Sequence, residues 1–121
     1  MGLNRRLPLS KIDDLEYFHI EDSDDLPGFA LSNQDLISDL DNSTCLIISR
    51  GEKTSGGYQI DLVSTKFDGD HLTVELNTSD PKPGSMNIMV LTYPWVHVKT
   101  KGAKTYSVIL NQDLIVKEQY L

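Results

Sequence analysis

Two tracts carry the residue types from which a functional surface could be built. The first, Gly51-Glu52-Lys53-Thr54-Ser55-Gly56-Gly57-Tyr58, is a polar, glycine-rich turn between two apolar, strand-like runs. The second is Thr92-Tyr93-Pro94-Trp95-Val96-His97-Val98-Lys99. Lys53, Thr54, Ser55, Gly56, Gly57 and Tyr58, together with Tyr93, Pro94, Trp95 and His97, are therefore the candidate partner-binding residues. Aromatic side chains presented beside turns suit the gripping of another protein, where such residues act as anchors. A phosphate-binding loop fits poorly, because Lys53 precedes the glycines and no helix follows them. Gly56 and Gly57 are expected to serve backbone geometry, through a positive φ or a close approach that a Cβ would obstruct. Strand alternation places Tyr58 inward with Ile60 and Leu62. The same alternation puts Tyr93, Trp95, His97 and Lys99 on one water-facing side, with Trp95 at least half exposed. Trp95 is then either an interface anchor or a cover over an open edge of its own sheet.

Catalytic chemistry finds little support. His19, His71 and His97 lie in separate segments without a second ligand at metal spacing, so they are expected at the surface or at sheet edges. Asp68 and Asp70 flank Gly69 as turn formers and offer too few oxygens for calcium. Cys45, the only cysteine, cannot form an internal disulfide and sits in the apolar run Thr44-Cys45-Leu46-Ile47-Ile48, where core packing is its expected role. There is no Gly-Xaa-Ser-Xaa-Gly elbow. The expectation is a non-enzymatic protein that needs neither metal nor cofactor.

The elements that must position these tracts follow from periodicity. Residues 1–12 read as an irregular lead-in, and Leu15–Ile20 as a first strand. Pro27-Gly28 marks a turn. One short helix is expected over about residues 33–40, with Ser32 as N-cap, Asp35 three residues on, and Leu36, Ile37 and Leu40 on one apolar face. From residue 43 the period becomes two. Cys45–Ser49 is a near-continuous apolar run that suits a central strand. Tyr58–Leu62 alternates, a hairpin turn is expected at Asp68-Gly69 or Gly69-Asp70, and Leu72, Val74 and Leu76 point inward on the next strand. Pro81 and Pro83 mark a loop, Met86–Val98 a long strand broken by Pro94, and Thr105–Leu110 and Leu114–Lys117 the closing strands. This predicts a mainly β fold, an antiparallel sandwich or barrel-like sheet, with immunoglobulin-like topology among the options and with one short helix.

A chain of 121 residues corresponds to a single domain able to bury a core without staples. Its charge is unevenly spread. Residues 11–42 hold ten of the eighteen acids (Asp13, Asp14, Glu16, Glu21, Asp22, Asp24, Asp25, Asp35, Asp39 and Asp41) against one base, Lys11. The remainder from residue 43 is balanced, which argues against nucleic acid, since its binding draws on clustered Lys and Arg. The acidic segment reads as a solvated face or as an electrostatic guide toward a basic partner. No apolar run approaches membrane-span length. Arg5 and Arg6 are not followed by the apolar stretch of a secretory signal, so the expected compartment is the cytoplasm, or the exterior if a leader has been removed.

Residues 45–99 resemble the C-terminal domain of PrcB, a subunit of a bacterial protease complex. The residues that carry the resemblance are an apolar strand leading into Gly51, Lys53, Gly56, Gly57 and Tyr58, then a hairpin, the turn Pro83-Gly84, and Tyr93, Pro94, Trp95 and Val96. The resemblance implies a module that supports the stability or activity of a partner protease. A fainter likeness is to chagasin-like inhibitors of cysteine proteases, carried by Thr54-Ser55-Gly56-Gly57-Tyr58 and Pro94-Trp95, with Glu52-Lys53 where those inhibitors have Asn-Pro. It implies occlusion of a protease cleft by the 51–58 and 93–95 loops. A purely structural β domain of a larger assembly is the third expectation.

Overall fold

The structure is a computed structural model and describes residues 10–12, 15–22, 26–31, 33–40, 43–54, 56–82 and 90–121. Its strands are β1 (Ser10–Ile12), β2 (Leu15–Ile20), β3 (Cys45–Ser49), β4 (Gln59–Asp68), β5 (His71–Ser79), β6 (Trp95–Lys99), β7 (Thr105–Leu110) and β8 (Asp113–Tyr120). They form two four-stranded sheets, in the orders β1-β2-β3-β6 and β4-β5-β7-β8. The mainly β expectation holds, as two open sheets rather than a closed barrel. One pairing departs from the antiparallel rule: β5 and β7 run parallel, with His71 opposite Thr105 and Leu76 opposite Leu110. The reason is that β6 intervenes between them in the chain but belongs to the other sheet. The chain therefore returns from β6 to lie beside β5 in the same direction, as parallel neighbours require a long crossover.

The first sheet is buried on both faces. On its inner side Leu15, Tyr17, Leu46, Ile48 and Val98 meet Leu72, Val74, Leu76, Tyr106, Val108 and Val116 of the second sheet in one core. Tyr17 and Tyr106 meet across this core, their ring centroids 5.6 Å apart. On its outer side Phe18, Ile20, Cys45 and Ile47 pack under Leu26, Ala30 and Leu36. Those last residues belong to the segment 26–40, which contains a 3-10 turn (Gly28–Ala30) and the helix α1 (Gln34–Leu40). This explains why β3 carries no polar alternation: every residue of Cys45–Ser49 is buried. The short helix gains its stability from this packing. At its start the Asn33 Oδ1 accepts the Leu36 N–H at 2.9 Å; Ser32, the expected N-cap, lies outside the described residues.

The second sheet is covered on one face only. In β5 Leu72, Val74 and Leu76 point inward, as alternation predicted. The β4–β5 hairpin turns at Gly69-Asp70, between the paired residues Asp68 and His71. Gly69 adopts φ +61° there, as a two-residue hairpin turn with glycine in its first central position requires. β4 is an edge strand and is mostly exposed. Ile60 is buried, but a bulge between Leu62 and Ser64 breaks the alternation and leaves Leu62 41% and Val63 49% exposed.

Two further expectations change. Ser10–Ile12, read as irregular, is a strand paired with β2. Of the strand expected over Met86–Val98 with a break at Pro94, the part after the break forms as β6 and 90–94 run as a loop with one bridge, while residues 83–89, including Pro83-Gly84, lie outside the described residues. Pro94 cannot donate to the ladder, which is why regular pairing starts after it.

Candidate functional site

The two tracts meet at one rim of the first sheet. β3 and β6 pair antiparallel with Ser49 opposite Trp95, and the pairing continues past their ends. The Arg50 N–H donates to the Pro94 carbonyl at 2.9 Å. Beyond it Lys53 and Thr92 exchange two backbone hydrogen bonds, each 2.8 Å. A ribbon thus extends from the sheet, with the glycine turn on one side and Thr92-Tyr93-Pro94 on the other. Gly51 starts it at φ +76°, and a Cβ there would lie 3.1 Å from Glu16 Oε1. Open space surrounds the corresponding position at Gly56, so the demand for glycine falls on Gly51 rather than there.

Arg50 organises the rim, and sequence reading missed it. Its side chain is only 9% exposed although it carries a full charge. Nη1 donates to the carbonyls of Gln59 (3.0 Å) and Ser79 (2.9 Å), and Nη2 pairs with Asp80. Arg50 therefore ties the end of β3 to β4 and β5 of the other sheet. Its planar fork suits several fixed acceptors at once. Tyr58 is half-buried and lies against two cations, Arg50 and Lys53, each 5.3 Å from the ring centroid. It is neither the core residue that alternation implied nor a freely presented ring. The available signal was an arginine directly following a fully apolar strand, where burial of its stem is forced.

Trp95 is not half exposed. It packs on the outer side of the first sheet with the α1 cluster, its ring 5.6 Å from Phe29 and 5.7 Å from His97. Phe29 also stacks on Tyr93, 6.0 Å away with the rings 9° from parallel, and meets Phe18 edge-on at 5.9 Å. The alternation was read correctly, but the face it defines is covered by the 3-10 turn and α1 instead of by water. The exposed large hydrophobic side chains of the rim are Tyr93 (44%), Val90 (47%) and Leu91 (60%). The Tyr93 hydroxyl donates to Glu52 Oε1, joining the two tracts a third time. Thr54 and Gly56 are exposed, Gly57 and Pro94 are half-buried, and Ser55 lies outside the described residues. His97 lies partly buried beneath α1, away from the exposed rim.

His71 lies on the outward face of the second sheet, but its ring is engaged there. His71 bridges β5 and β7, with Nδ1 2.7 Å from Thr105 Oγ1 and Nε2 2.6 Å from Ser107 Oγ. The Ser107 hydroxyl donates its proton to the Lys117 carbonyl, so Nε2–H donates to Ser107. With its proton engaged by a carbonyl, this serine is not aligned for activation by the imidazole. Cys45 is fully buried, and its thiol is pushed up from 9.0 to about 11, first by burial and then by Asp39, with Lys99 opposing. A thiol held neutral in this way is a poor nucleophile. Among the described residues no group of three or more His, Cys, Asp or Glu side chains is placed to hold a metal.

Fold and rim together define a two-sheet β module whose exposed feature is a hydrogen-bonded ribbon with apolar side chains. Residues 44–101 match the family model described as PrcB C-terminal, in agreement with the resemblance read from the sequence. That span runs from just before β3 to just after β6 and contains both halves of the ribbon. No curated protein and no solved structure matches the chain. No helix among the described residues is long and apolar enough to cross a membrane.

Proposed function

We propose that this chain is a non-enzymatic module that binds a partner protease through the ribbon formed by residues 51–58 and 90–94. The observation that carries the reading is the double hydrogen bond between Lys53 and Thr92, which joins the two family-matched tracts beside exposed Val90, Leu91 and Tyr93. Exposed aromatic and aliphatic groups on a braced backbone are the usual anchors of protein interfaces. Action without catalysis is supported by the inert state of Cys45 and the engaged hydroxyl of Ser107. The test is binding to a protease encoded beside this chain's gene. Tyr93→Ala and Leu91→Ser should each weaken it about ten-fold or more, as hot-spot truncations do. Leu114→Ser, exposed on β8 of the other sheet, should leave it unchanged. Equal affinity for all three variants would remove the ribbon from the account.

The meeting of the two loops at one rim also favours a second reading, occlusion of a cysteine-protease cleft. Full activity of a papain-like protease in the presence of micromolar protein would dispose of it.

A further inference from the structure

We infer that His97, Asp39 and Lys99 form a pH-sensitive clasp that tightens α1 onto the first sheet when His97 is protonated. The three groups face one another across the helix–sheet boundary. Asp39, in the last turn of α1, places Oδ1 3.5 Å from Lys99 Nζ and Oδ2 3.8 Å from His97 Nδ1. The His97 Nδ1 atom is buried and makes no hydrogen bond, and the Asp39 oxygen lies just beyond hydrogen-bond reach. A neutral imidazole offers that carboxylate at most an uncharged N–H, and in one tautomer none at all. A protonated one presents an N–H and a positive charge to it, and a small inward movement of α1 would complete a charge-assisted bond.

The surroundings set the balance. On its own strand His97 has Lys99, which shares the same carboxylate. From β3 the Cys45 thiol, which senses both Asp39 and Lys99, stays neutral. The 3-10 turn contributes uncharged Phe29, and β2 contributes Phe18 and Ile20. α1 also carries Asp35, exposed one turn before Asp39, and Asp39 is the carboxylate that stands against His97. The clasp lies beside Trp95, whose ring is 5.7 Å from His97, so the single tryptophan reports its state. The device does not depend on which partner the ribbon binds.

Two measurements on the full chain test it. Protonated imidazole quenches a neighbouring indole, so Trp95 emission should fall between about pH 8 and about pH 5, the range in which histidine changes charge. That fall should be absent in His97→Gln. A double-mutant cycle with His97→Gln and Asp39→Asn, read by denaturant unfolding, should show a coupling of about five-fold in the unfolding constant near pH 5 and close to none near pH 8. If Asp39→Asn does not fold, Lys99→Gln carries the test. Freed of its competitor, Asp39 should then give a larger gain in stability on acidification than in the parent chain. Coupling that is equal at both pH values, an emission curve shared by His97→Gln and the parent, or a Lys99→Gln variant with no added response would each overturn the clasp.

Discussion

The two sheets have four strands each but live in different surroundings, and the difference decides which side chains stay accessible. The first sheet is enclosed, with the second sheet on one side and the 3-10 turn and α1 on the other. Its strands lose their polar alternation, and its aromatic face becomes a core. The second sheet is enclosed on one side only, so its outward face keeps Thr73, Glu75 and the His71–Thr105–Ser107 bridge. The first sheet's backbone runs out beyond its cover at the Lys53–Thr92 ribbon, which is where the proposed binding surface lies.

The sharpest way to break this comparison is to truncate neighbours on opposite faces of β3. Ile47 faces α1 and Ile48 faces the second sheet, and both are fully buried. Ile47→Ala and Ile48→Ala should each cost about 2–5 kcal/mol in denaturant unfolding. Thr73→Ala, on the open face of the second sheet, should stay within about 0.5 kcal/mol. A small loss at Ile47 would mean that the segment 26–40 is a loose covering and not a second core.

A pH-dependent loss sharpens the same point. Burial under α1 raises the Cys45 thiol from 9.0 to about 11, so the folded state keeps a proton that the unfolded chain releases. The associated stability is complete below pH 9.0 and is lost as pH rises toward about 11, by roughly 2–3 kcal/mol in all. Comparing the unfolding of the parent and Cys45→Ala across that range isolates this contribution from the other alkaline titrations. Parallel curves would show that water reaches the thiol.

Much of this arrangement was legible in the sequence, and what was missed has a common cause. Strand periodicity placed β2, β3, β5 and β7, the hairpin at Gly69-Asp70 and the inward set Leu72, Val74 and Leu76, because each of these depends on local pattern alone. The two tracts at the rim were legible as motifs. What failed required knowledge of the third layer. A face bearing Trp95, His97 and Lys99 reads as solvent-facing until a separate segment, 40 or more residues earlier in the chain, is laid over it. Tyr58 failed for a related reason, since its cover is the side chain of Arg50, which belongs to the other sheet. The parallel β5–β7 pairing depends on β6 leaving for the first sheet, and no local pattern records that departure.

Arg50 tests how firmly the two sheets are joined at the rim. Arg50→Met keeps most of the stem but leaves the carbonyls of Gln59 and Ser79 without their charged donor, and should cost about 2 kcal/mol. Arg50→Lys should recover little, because a single ammonium cannot reach both carbonyls and Asp80 together. A full recovery by lysine would show that charge alone, without the fork, holds the rim.

The smallest effect concerns the cover itself. Asn33 accepts the Leu36 N–H at the start of α1, and Asn33→Ala should cost about 1 kcal/mol. Capping in a helix of seven residues acts on a unit that exists only while packed, so the loss should appear in global unfolding and not as separate melting of α1. Amide exchange distinguishes the two cases. If the α1 amides lose protection while those of β3 and β6 keep theirs, the helix opens on its own and the enclosed face of the first sheet is intermittently bare. If all three lose protection together, the outer core is as much a part of the cooperative fold as the interface between the sheets, and Trp95 is held beneath it for as long as the chain is folded.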